Sequence, residues 1–199
     1  PQILTRNADD FLRTANQLKE YGYQEVNLNL GCPSKTVVTK GCGAGFLARP
    51  EELEQFLDRI FSKTDMKISV KTRLGMENAE EFPRLMEIYN RFPMEELIIH
   101  PRVQKDFYKN TPNLEIFGEA LAISKNSVCY NGDIFSADDF KRIHAQFPNV
   151  ECFMMGRGIL ADPSLAREIR GGKAADQSDI RRFHDLLYHT YREEVSGDR

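Results

Sequence analysis

Short apolar runs alternate along this chain with segments of helical period. The runs fall at residues 2–4, 25–30, 66–70, 97–100, 127–130 and 150–155. Between the first two, residues 8–21 place Phe11, Leu12, Ala15 and Leu18 on one helical face. Residues 50–61 open with Pro50, suited to the first turn of a helix, and repeat Leu53, Phe56, Leu57 and Ile60 at helical spacing. The same period recurs over 79–91, 114–124 and 137–147, the last preceded by Ser136 as an N-cap. Strands that alternate with helices predict βα units and a parallel sheet.

The polar residues decide between the two common parallel architectures. Asn29, Lys71, Arg73, His100, Asn131, Asp133 and Arg157 all sit at or just past the ends of predicted strands. A barrel gathers every strand end at one mouth, whereas an open doubly wound sheet converges only the pair at its switch point. The pattern therefore predicts an α/β fold of the (β/α)8 TIM-barrel type. The strand count is six, which would leave open edges. The expectation is that the first two β/α units, on the order of 50 residues, are not in this chain. Helices are expected at 161–169 and 179–194, separated by Gly171-Gly172, with Phe183, Leu186, Leu187 and Tyr191 on one face of the last. That predicts a partial barrel over residues 1–170 and the start of a C-terminal helical domain over 171–199.

Composition narrows the classes. With 41% hydrophobic and 29% charged residues, the chain is neither disordered nor fibrous. It has no apolar run near the roughly 20 residues of a membrane-spanning helix, so no membrane association is expected. The start lacks the features of a signal peptide, and lacks Met, as if the chain began inside a longer product. Cys32, Cys42, Cys129 and Cys152 include no CxxC pair, so free thiols in a reducing cytoplasm are expected, and no metal. A net charge of −3 argues against a surface coated in basic patches, though not against a local basic groove.

The chemistry concentrates in Asn27-Leu28-Asn29-Leu30-Gly31-Cys32-Pro33-Ser34-Lys35, followed by Lys40-Gly41-Cys42-Gly43-Ala44-Gly45. A strand runs into a Gly-Cys-Pro turn and a glycine-rich loop. Pro33 ends strand pairing and Gly31 frees the backbone, which aims the Cys32 thiol from a loop. By position alone, a small buried cysteine fits as well.

Together with Val70-Lys71-Thr72-Arg73, Ile99-His100-Pro101-Arg102, Asn131-Gly132-Asp133-Ile134 and Met155-Gly156-Arg157-Gly158, this segment strongly resembles the tRNA-dihydrouridine synthases, in order and through essentially the whole chain. The resemblance implies a flavin-dependent TIM barrel followed by a helical tRNA-gripping domain. It implies reduction of tRNA uridine to dihydrouridine, with NADPH reducing bound FMN. By the same resemblance Cys32 is the proton donor to uracil C5; a free thiol, with an ordinary pKa near about 8.5, is mostly protonated at neutral pH and suits that role. Asn29 and Arg73 are implied to contact the uracil, although a turn-stabilising role for Asn29 stays open. Gln2, Lys71, His100, Asn131, Gly132, Gly156 and Arg157 are implied to hold the flavin, with Asp133 ordering the adjoining loop. Pro101 stands where the family commonly has Gly, and Cys42 where it commonly has a small residue, read here as packing. Lys35, Lys40, Lys105 and Lys109 are candidate tRNA contacts, each equally readable as a solvated charge. Residues 157–199 hold acids and bases in balance, so they form no basic tail. Other readings are a different FMN barrel acting on a small molecule, and an inert folded piece. The tRNA position modified and the oligomeric state are not encoded in any short motif.

Overall fold

The computed structural model describes residues 1–195; the last four residues of the helical segment expected over 171–199 lie outside the described residues. The elements run β1 (Gln2–Ile3), α1 (Ala8–Glu20), β2 (Glu25–Leu30), α2 (Lys35–Val38), α3 (Pro50–Lys63), β3 (Lys67–Arg73), α4 (Phe82–Tyr89) and β4 (Leu97–His100). They continue with α5 (Leu114–Ile123), β5 (Val128–Tyr130), α6 (Ala137–Gln146), β6 (Cys152–Phe153), α7 (Arg157–Ala161), α8 (Leu165–Ile169) and α9 (Gln177–Glu194).

All six strands pair in parallel in the order β1-β2-β3-β4-β5-β6. Each βα unit therefore steps to the next position in the same direction, with no reversal of order. That is the progression of a barrel wall and not of a doubly wound sheet.

The two faces of the central strands have opposite character. On β2, Val26, Leu28 and Leu30 are buried while Glu25, Asn27 and Asn29 alternate with them, half-buried. On β3, Ile68, Val70 and Thr72 share the first face and Ser69, Lys71 and Arg73 the second. The apolar face meets the helices. Phe11, Phe46 and Phe56 pack edge to face there, with centroids 6.0 and 5.4 Å apart. The Thr72 hydroxyl lies 2.9 Å from the buried Tyr89 hydroxyl, which burial keeps protonated by raising its pKa.

Three local differences from the expected elements have physical reasons. β3 runs on to Arg73 because its pairing continues with β2 through Thr72 and with β4 through Arg73 and His100. The loop after Cys32 contains α2 and a 3-10 turn over Gly43–Ala48. The helix expected over 161–169 is two short ones, α7 and α8. Pro163 disfavours helical angles at the residue before it, and Asp162 is extended at φ −139°, ψ 99°.

By contacts the described residues form two compact units, residues 1–132 with 147–154, and residues 133–146 with 155–195. The first contains the whole sheet. In the second, Asp176 caps α9 by accepting from the backbone N–H groups of Ser178 and Asp179. The α9 side chains of Phe183, Leu186, Leu187 and Tyr191 are exposed.

Candidate active site

In the first unit, the strand register sets the site. Asn29 pairs with Lys71, and Arg73 with His100, so β2, β3 and β4 end beside one another. Asn131 follows β5, and its backbone N–H donates to Ile99 O at 3.0 Å.

The Cys32 turn is held from several sides. The Asn29 side-chain oxygen accepts from the backbone N–H groups of Gly31 at 3.0 Å and Cys32 at 2.9 Å. This is a local Asx-type turn at a strand end. The Asn29 amide nitrogen donates to Gln2 Oε1 at 2.8 Å, and Gln2 donates to Asn27 Oδ1 at 2.7 Å. Asn27 in turn donates to Ser69 Oγ at 3.0 Å. A polar ladder thus crosses β1, β2 and β3 beneath the turn. The glycine loop closes the other side, where the Ala44 N–H donates to Cys32 O at 3.0 Å. Gly43, at φ +55°, lies so close that an added Cβ would be 2.9 Å from both Cys32 Cβ and Cys32 O. Cys32 itself is half-exposed, outside the core. Cys42 is also half-exposed, its sulfur 3.8 Å from Lys40 O.

Arg73 is 1% exposed and is spent on backbone. Its guanidinium donates to Gly31 O at 2.9 Å, Val103 O at 2.9 Å and Phe107 O at 2.7 Å, and lies 5.4 Å from the Tyr108 ring centroid. It therefore clamps the Cys32 turn to the loop after β4. Phe107 is the one non-glycine residue with positive φ among the described residues, at +51°, and its carbonyl is one of the three that Arg73 holds. The strain sits where a buried cation restrains it.

Lys71 differs. Its ammonium has no hydrogen-bond or ion-pair partner among the described residues, yet it is substantially buried. Desolvation and the neighbouring Arg73 lower its pKa from 10.5 to about 8. A half-buried cation without a counter-charge is the feature most suited to an electron-rich or anionic ligand.

His100 is 7% exposed, with Nε2 3.0 Å from Arg102 Nη1. The Asn131 amide nitrogen donates to Met154 O at 2.8 Å, tying β5 to β6. At Gly132 an added Cβ would fall 2.0 Å from the Tyr130 hydroxyl, so the turn requires glycine.

In the second unit, Arg157 is paired with Asp133 at 2.6 Å and lies 5.2 Å from the Phe135 ring. Gly156 precedes it in open space, with nothing within 4 Å of an added Cβ.

The family model described as Dihydrouridine synthase (Dus) matches residues 1–195. The chain belongs to the dihydrouridine synthase family. It is 29% identical over 160 residues to a tRNA-dihydrouridine(16) synthase of Pseudomonas syringae, covering 79% of this chain and 50% of that protein. It is 28% identical to the corresponding protein of Ralstonia nicotianae, over 89% of this chain and 55% of that one. A tRNA-dihydrouridine synthase B of Pasteurella multocida is 28% identical, over 83% and 50%. The chain thus spans about half the length of the curated relatives it matches. Among solved structures, histamine dehydrogenase from Rhizobium sp. 4-9 superposes with a TM-score of 0.60 at 14% identity, over 82% of this chain and 27% of that one. At that identity the likeness concerns the fold alone.

Within this dihydrouridine synthase chain, two site neighbours escaped the sequence reading. Gln104 donates to Pro33 O at 2.9 Å, a second tie between the loop after β4 and the cysteine turn. Tyr108 stacks on His100 with centroids 6.1 Å apart. The available signal was weak: an aromatic and an amide in a loop already expected at the mouth. Of the lysines considered for tRNA, Lys105 is ion-paired to Glu77 at 3.7 Å. No described helix is long and apolar enough to cross a membrane.

Proposed function

We propose that this chain carries the catalytic face of a tRNA-dihydrouridine synthase, using FMN with NADPH as reductant to convert uridine in tRNA to 5,6-dihydrouridine. The observation that carries the reading is the desolvated Lys71 ammonium, without a hydrogen-bond or ion-pair partner among the described residues, near the strand ends where the Cys32 turn is anchored. FMN would supply the hydride to uracil C6 when bound. The Lys71 ammonium fits such a group because its missing counter-charge is what an electron-rich ring edge provides. His100, at the end of β4, and Asn131, just past β5, are assigned to the same ligand together with Gln2 and Gly132.

Cys32 gives the Sγ proton to uracil C5 and is reprotonated from solvent, which its partial exposure permits. Asn29 holds the turn that aims this sulfur and keeps one amide hydrogen for the uracil edge. Arg73 contributes mainly as the clamp between the turn and the loop after β4, with any contact to the base made by its remaining donors. In the second unit, Gly156 and Arg157 are assigned to a phosphate, with Asp133 orienting the guanidinium in its absence. A uridine must leave its stack to reach such a site, at a few kcal/mol, and Lys35, Lys40 and Lys109 are candidates for the phosphate contacts that offset this. The helical segment over 171–199 is assigned to tRNA binding.

The test is NADPH-dependent turnover by the protein supplied with FMN. Reduction of unmodified tRNA, with no reduction of free uracil or dihydroorotate, is the expected result. Activity on the small molecules alone would overturn the substrate assignment, and failure of FMN fluorescence to quench on mixing would overturn the cofactor.

A further inference from the structure

The strand ends opposite Cys32 hold a second cluster. Cys129 on β5 and Cys152 on β6 are direct partners in the sheet register. Partners in a parallel pair point to the same side, and adjacent strands lie about 4.8 Å apart. Glu96, just before β4, is two residues from Ile98, which pairs with Cys129. Alternation puts Glu96 on that same side. One ligand atom from each of Glu96, Cys129 and Cys152 lies within 4.8 Å of the other two. Cys129 is 1% exposed and Cys152 is open to solvent. Beside them is a hollow of about 550 Å³, lined among others by Glu25, Glu95, Glu96, Glu151 and Cys152. Of these carboxylates Glu95 is paired with Lys67 at 2.7 Å. The approach to the two sulfurs is therefore acidic, and it attracts cations.

We propose that Glu96, Cys129 and Cys152 form a transition-metal site that takes zinc, with water from the hollow as the fourth ligand. Two sulfurs and one carboxylate oxygen are the donor set of a borderline-soft divalent ion and are unsuited to magnesium or calcium. Ligand atoms around a tetrahedral zinc stand about 3.5–4 Å apart, so the cluster closes by about 1 Å or less. Binding replaces two S–H bonds with two Zn–S bonds and releases two protons to water, with no change of oxidation state.

The site would act as a clip. β6 is an edge strand joined to the sheet by two residue pairs only, and the metal ties it to β5 and β4. The role does not depend on the proposed tRNA chemistry, although Cys129 lies within electrostatic reach of Lys71.

The test is titration of the reduced full chain with cobalt(II), as a spectroscopic substitute for zinc. A thiolate-to-cobalt charge-transfer band saturating at one equivalent is expected, abolished by zinc and indifferent to magnesium. Cys152→Ser, at an exposed position that should not disturb folding, removes the band. Glu96→Gln weakens cobalt binding about ten-fold or more. No band, a band that survives Cys152→Ser through Cys32 and Cys42, or a mass two hydrogens lower showing a Cys129–Cys152 disulfide would each overturn the proposal.

Discussion

The two ends of the same parallel strands differ in charge and in how their polar groups are satisfied. At the C-terminal ends, Lys71 and Arg73 lie side by side on β3, and the backbone turns of three loops fold over them. At the N-terminal ends, Glu25, Glu95, Glu96 and Glu151 surround an open hollow. The Arg73 charge is answered by three carbonyl dipoles, whereas that of Lys71 meets no hydrogen-bond or ion-pair partner among the described residues. The contrast teaches that two adjacent cations on one strand can serve opposite ends. One is consumed in shaping the site, and the other is left over for a ligand.

The largest expected effect separates the ends by function. Cys32→Ala should retain FMN yet lower tRNA reduction by about 10²–10⁴-fold, the usual range for a lost general acid. Single-turnover oxidation of the reduced flavin by tRNA measures it. Turnover within a few-fold of the parent would transfer the role to Cys42 or to water.

Next comes the clamp. Arg73→Ala leaves the carbonyls of Gly31, Val103 and Phe107 without their donor and releases the strained Phe107 backbone. A loss of about 3–5 kcal/mol in denaturant unfolding is expected. A loss under about 1 kcal/mol would mean that the three bonds are replaceable by water.

Lys71→Met should do the reverse to stability. Because the folded pKa is depressed to about 8 from 10.5, the ammonium opposes folding wherever it is charged. The unfolded chain binds more protons between those values, so the wild-type chain gains stability as pH rises through that window. The Met variant should therefore be more stable by about 1–3 kcal/mol at pH 7, with the advantage shrinking from about pH 8 and gone only above about pH 10.5, and should bind FMN more weakly. An advantage independent of pH would show that Lys71 is neutral or solvated throughout.

The smallest effects close the comparison. Asn29→Ala should cost about 1–2 kcal/mol by freeing two backbone donors, and should lower turnover more than flavin affinity. Glu151→Gln, at the acidic end, should alter stability by no more than about 0.5 kcal/mol and leave turnover unchanged. A turnover defect there would join the two ends functionally.

Amphipathic period and strand length were enough, from the sequence, to mark six strands, the main helices and their alternation. Burying an apolar face against a neighbour imposes that periodicity on each element locally. The order of chemistry-bearing motifs was legible for the same reason, since Asn29, Lys71, Arg73, His100 and Asn131 each lie near, at or just past the C-terminal end of a strand. Contacts between loops were not legible. That Arg73 would spend its donors on Gly31, Val103 and Phe107 depends on where three separate loops converge. That Cys129 and Cys152 would stand together depends on the register of β5 against β6. A linear chain carries no trace of such meetings between residues far apart along it, because hydrogen bonding and desolvation are set by neighbours in space.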